Sequence, residues 1–200
     1  MGSHVVAQGD CIQSIAARFG FADGDFIWNH PNNDELRKRR ASPNVLAPGD
    51  VVFIPDLTKK VVHCATGTSH RFVVRLPTRA VNVVLRDGAG APIANSPYVL
   101  RAGDTVRKGR SDAGGVVHEA GLRPSIDRAT LELTELGNTR ELLIGHLNPH
   151  DHESGWRQRL ANLGYDDDED GLAEFRRDQK LPEDAAEATV QNALYQQSKA

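Results

Sequence analysis

The chain has 200 residues, enough for one or two ordinary domains or several small ones. A formal net charge of -3 provides no global field to draw nucleic acid or an anionic membrane. No run of about eighteen apolar residues occurs, which excludes a transmembrane helix, and the opening MGSHVVAQGD lacks the basic stretch and apolar core of a signal peptide.

In chain order, Val5 and Val6 begin a short strand, which Gly9 breaks. Asp10 is placed to cap a helix, with Gln13 completing a capping box. Ile12, Ile15, Ala16 and Phe19 recur at helical spacing on one face, and Gly20 is the natural stop. A second helical piece is expected around Asp25–Asn29, continued by Asp34–Arg40 after Pro31. Pro48-Gly49-Asp50 reads as a turn, and Val51–Ile54 as a strand ended by Pro55.

The order of His4-Val5-Val6, Gly9-Asp10, Ser14-Ile15-Ala16, Phe19-Gly20, Ile27, Asn29, Leu46, Pro48-Gly49-Asp50 and Phe53-Ile54-Pro55 resembles the LysM family over residues 4–56. The resemblance implies a βααβ fold that binds glycans containing N-acetylglucosamine. It places the sugar between two loops, here Gly9, Asp10, Cys11 and Ile12 on one side and Asn44, Val45, Leu46, Ala47 and Pro48 on the other. Cys11 stands where the family usually has Thr or another small polar residue, and the connection from His30 to Asn44 is longer than usual.

From Phe72 to Leu147 the apolar period becomes that of strands. Val81, Val83 and Leu85 alternate. Pro97–Leu100, Val116-Val117 and Ala129–Leu133 follow, separated by turns at Asp87-Gly88, Gly103-Asp104, Gly109 and Asp112–Gly115. This spacing suggests an antiparallel β-sandwich over residues 70–147. Leu85, Asp87, Gly90, Pro92-Ile93, Tyr98, Gly109 and Ser111–Gly115 resemble prealbumin-like or carboxypeptidase-regulatory-like sandwiches. Such segments recur in proteins associated with bacterial type VI secretion and related contractile injection systems. In them the signature serves turns and packing.

The last fifty or so residues return to helical spacing: Trp156, Leu160 and Leu163 before Gly164, then Leu172 and Phe175, then Ala186, Val190, Ala193 and Leu194. Trp156–Leu160, Leu163-Gly164-Tyr165, Asp170-Gly171, Phe175–Gln179 and Leu181-Pro182 resemble the three-helix peptidoglycan-binding domain, over residues 153–197. The usual stretch from the Asp-Gly turn through Gly-x-x-Thr is missing or collapsed, and it helps form that family's presumed binding surface.

Several local patterns have two readings. Asp166–Gly171 opens like a calcium loop, but the twelfth position is Arg177 instead of a bidentate Glu, so a solvated acidic turn is preferred. His146, His150 and His152 offer zinc ligands, yet Pro149 makes their spacing loop-like. Arg37-Lys38-Arg39-Arg40 is either a grip for phosphate or an acidic partner, or a helix end whose cations meet the negative pole. Trp28 and Trp156 are expected to pack inside the fold, with sugar stacking as the other use. Cys11 and Cys64 form no metal or redox motif. Free thiols are expected, with a disulfide left open.

No nucleophile turn, phosphate loop or zinc-protease helix occurs. The expectation is therefore an α+β multidomain protein without catalytic residues, metal or cofactor. Its LysM-like domain, sandwich and small helical bundle would bind peptidoglycan or a related glycan, in association with a contractile injection apparatus. The alternative is a structural adaptor or cargo protein that binds a spike, baseplate or effector and touches no glycan. A cytoplasmic location before export or assembly is expected, with delivery to the periplasm or the extracellular space.

Overall fold

A computed structural model describes residues 2–40, 42–58, 61–73, 76–182 and 184–198. Ala41 in the long connection, Val74 and Arg75 in the expected sandwich and Glu183 in the expected bundle lie outside the described residues. Among the described residues the fold is mixed α+β, with six α-helices and eight strands, and the strands pair antiparallel.

The N-terminal unit holds β1 (Gly2–Val5), α1 (Ile12–Arg18), α2 (Asp25–Trp28), a 3₁₀ turn at Pro31–Asn33, α3 (Asp34–Arg39) and β2 (Val51–Ile54). The strands pair end to end, with Gly2 opposite Ile54 and Val5 opposite Val51. Ile12, Ile15, Ala16, Ile27, Leu36 and Val52 form the centre of one apolar cluster. The first helix is capped one residue later than the Asp10 pattern predicts. Cys11 is the cap, and its N–H donates to Ser14 Oγ at 2.9 Å. Asp10 is instead drawn into an ion pair, and Gln13 accepts a bond from the Gly24 N–H at 3.2 Å. Phe19 also differs from its expected inward position and is 40% exposed. Gly20, at φ +81°, closes the helix with bonds from Gly20 N to Ala17 O and from Phe21 N to Ala16 O, which sends Phe21 inward in its place.

Six strands follow: β3 (Arg79–Val84), β4 (Pro97–Ala102), β5 (Thr105–Arg110), β6 (Val116–Leu122), β7 (Arg128–Leu133) and β8 (Asn138–Leu143). One sheet pairs β3 with β6, and the other has the order β5-β4-β7-β8. Alternate residues point inward, so that Val81 and Val117 of the first sheet meet Leu100, Ala102 and Leu131 of the second in one cluster. Tyr98 lies over Gly109 on the neighbouring strand, where an added Cβ would sit 2.6 Å from the phenol oxygen. Burial and the Tyr98 hydrogen bond to Glu119 push the phenol up to about 12.

The C-terminal region holds α4 (Glu153–Leu163), α5 (Glu169–Asp178) and α6 (Glu187–Gln197). Trp156, Leu160, Phe175, Val190 and Leu194 form its own buried cluster. Gly155 is required by contact, because a Cβ there would lie 1.8 Å from Pro149 O. Asp168 caps α5, its carboxylate accepting from Gly171 N at 3.0 Å, so the acidic run works as a helix start.

Candidate functional site

The nine residues of the expected glycan loops come together, but little of them faces solvent. Asp10, Cys11, Ile12, Leu46 and Ala47 are buried, Gly9 and Val45 are half-buried, and Asn44 and Pro48 are exposed. Ile12 and Leu46 are turned into the unit's own core. Ile12 N also donates to Pro43 O, just ahead of the second loop, at 2.9 Å.

Two buried carboxylates hold these loops in shape. Asp10 accepts from His4 Nε2 at 2.8 Å, from the Ala7 N–H at 3.1 Å and from Arg18 Nη2 at 2.9 Å. Burial raises its pKa, but the His4 and Ala7 hydrogen bonds and the charges of Arg18 and His4 outweigh it and hold the carboxyl below its ordinary 3.8. Asp50, in the Pro-Gly-Asp turn, takes both arms of Arg40, at 2.7 Å from Nε and 3.0 Å from Nη2, and accepts from the Ala47 N–H at 2.9 Å. Burial again raises its pKa, and the Arg40 bond, the Ala47 N–H and the charges of Arg40 and Arg39 bring it below 3.8. An expected binding loop is therefore an internally braced corner.

The rest of the chain covers that corner. Arg79, the first residue of β3, donates from Nη2 to Gly9 O at 2.5 Å and to Cys11 Sγ at 3.3 Å, while its Nη1 reaches Ile126 O at 3.1 Å. Gln8 Nε2 donates to His146 O at 2.7 Å, and the His146 ring lies against Gly9. Arg40 extends to Asp151 ahead of α4 at 3.3 Å. Sequence patterns do not single out Arg79. The basic residue at the head of a strand carries no family word, and its partner loop lies about seventy residues away.

The other singled-out residues disperse. Arg37 bonds Trp28 O and Asp34, Lys38 bonds Glu35 at 2.6 Å, and Arg39 and Arg40 approach Asp50. The basic run is thus spent mainly on its own unit, with Arg40 also reaching Asp151. His146 faces Gly9, His150 stacks on Tyr195 at 4.8 Å, and His152 caps α4. Among the described residues no group of three or more His, Cys, Asp or Glu is placed to hold a metal ion. Trp156 is buried with Arg157 over its ring at 4.4 Å, and Trp28 packs half-buried on the N-terminal core, while Phe26 beside it is 66% exposed. Cys11 is buried and Cys64 exposed, both as free thiols. No helix of the described residues is long and apolar enough to cross a membrane.

Compared with known proteins, the chain matches no family model, no curated protein and no solved structure.

Proposed function

We propose that this chain is a non-enzymatic adaptor or cargo protein whose LysM-like domain, β-sandwich and peptidoglycan-binding-like bundle serve protein contact, with the glycan loops closed. The observation that carries this reading is the covering of Gly9 and Cys11 by Arg79 and His146. A sugar acetamido group recognised by backbone hydrogen bonds would compete for the Gly9 carbonyl, which Arg79 already occupies. Exposed Phe19, Phe26 and Leu57 offer apolar contact area on the N-terminal unit. The setting, a bacterial contractile injection or type VI-like apparatus with a spike, baseplate or effector as partner, rests on the family resemblances.

A second reading keeps peptidoglycan or an N-acetylglucosamine glycan as the ligand. It is favoured by the strand–helix–helix–strand order of the N-terminal unit and by Asn44 and Pro48 remaining exposed. Co-sedimentation of the full chain with purified peptidoglycan sacculi separates the two. The adaptor reading expects the folded protein to stay in the supernatant, and saturable pelleting with sacculi reverses it.

A further inference from the structure

We infer that the junction between the N-terminal unit and the two-sheet region is a latch, closed by Arg79, which opens without breaking either core and bares the Gly9–Cys11 loop. The two apolar clusters share no residue, so separating the regions leaves both interiors packed. Among the described residues the bonds that leave the N-terminal unit are polar and few: Arg79 to Gly9 O and Cys11 Sγ, Gln8 to His146 O, and the exposed Arg40–Asp151 pair just beyond.

Closure also strips a guanidinium of water for little return. Arg79 is only 7% exposed, its Nε has no partner, and among the described residues no carboxylate lies within ion-pair distance of it. A buried cation met only by neutral acceptors recovers only part of its lost hydration, which limits how firmly its bonds hold the junction closed. The fit is nonetheless specific. Gly145 has φ +81°, and a Cβ there would lie 2.9 Å from Gly9 O and 3.2 Å from Arg79 Nη2. A Cβ on Gly9 would lie 3.2 Å from His146 Nε2. Two bare backbones meet, and the described residues between β2 and β3 form no helix or strand that would resist separation. Latch opening is thus a local event, distinct from unfolding.

The thiol of Cys11 reports the state of the latch, whether or not any glycan binds. With Cys64→Ser, Cys11 is the sole thiol of the full chain, and its alkylation by iodoacetamide is followed by mass. Adding Arg79→Gln should speed alkylation by about ten-fold or more, equivalent to about 1.4 kcal/mol of lost closure. Gly145→Ala should act likewise from the opposite side, as a wedge. Opening through the latch makes the rate nearly independent of urea below the unfolding transition, since little surface is exposed. Folded variants, judged by circular dichroism, that react at the parent's rate overturn the latch. So does a parent rate that rises with urea as steeply as global unfolding.

Discussion

Buried charge is handled in opposite ways within the N-terminal unit and at the junctions that leave it. Inside the unit, Asp10 and Asp50 are each matched by a cation and a backbone N–H. At the junctions, Arg79 and Arg159 are buried among carbonyls: Arg159 donates to Asn148 O at 2.8 Å and Gly155 O at 2.7 Å, and the Nε of each arginine is unpartnered. Burial lowers the Arg159 pKa, with the charges of Tyr195 and Asp151 opposing. Paired charges brace the N-terminal unit, whereas the guanidiniums of Arg79 and Arg159 meet carbonyls, and the Arg40–Asp151 pair that leaves the unit has an exposed carboxylate.

Five variants and a pH series break or sharpen this contrast. The largest effect belongs to Gly155→Ala, whose Cβ has no room beside Pro149 O. It should cost more than about 3 kcal/mol, read as loss of the Trp156 near-ultraviolet signal at lower urea. Asp50→Ala should cost about 3 kcal/mol, because it strands Arg40 with one exposed partner, Asp151. Urea unfolding of the N-terminal unit measures it.

Acid should act in the same direction. A folded-state pKa held below 3.8 contributes stability that is present above that value and lost as pH falls through the lowered one. Stability of the N-terminal unit should therefore decline below about pH 4, and Asp10→Asn should flatten the slope. Arg159→Met removes a cation and takes its donor from the Asn148 carbonyl, while Gly155 O keeps the helical bond from the Arg159 N–H. A cost of about 1 kcal/mol is expected, smaller than the loss at Asp50, in thermal unfolding of the helical region. Arg79→Gln should lower global stability by no more than the roughly 1.4 kcal/mol of closure it removes, since neither core includes it.

Much of the architecture was legible because apolar period reports burial. Ile12, Ile15 and Ala16 marked α1, Leu100 and Leu131 marked the two inner strands, and Leu160 and Phe175 marked the helical core. The strands β5 and β8 were illegible for the converse reason: TVRKGR and NTRELL lie at the sheet's edges, where polar side chains face water and no alternation is required. Asp10 misled as a helix cap because its carboxylate found a stronger use with His4 and Arg18. The two expected loops adjoin, Ile12 N reaching Pro43 O beside the second. Their covering by Arg79 and His146 joins positions far apart in sequence, and neither hydrophobic period nor turn chemistry encodes such a contact.

The central claim is that the Gly9–Ile12 loop is covered by Arg79 and His146 and takes no glycan. Titration of the full chain with an N-acetylglucosamine tetramer, followed by the amide resonances of Gly9–Ile12 and Val45–Ala47, tests it directly. The closed arrangement predicts that these resonances stay in place across the titration. Saturable shifts confined to those two loops in the unmodified chain would contradict it.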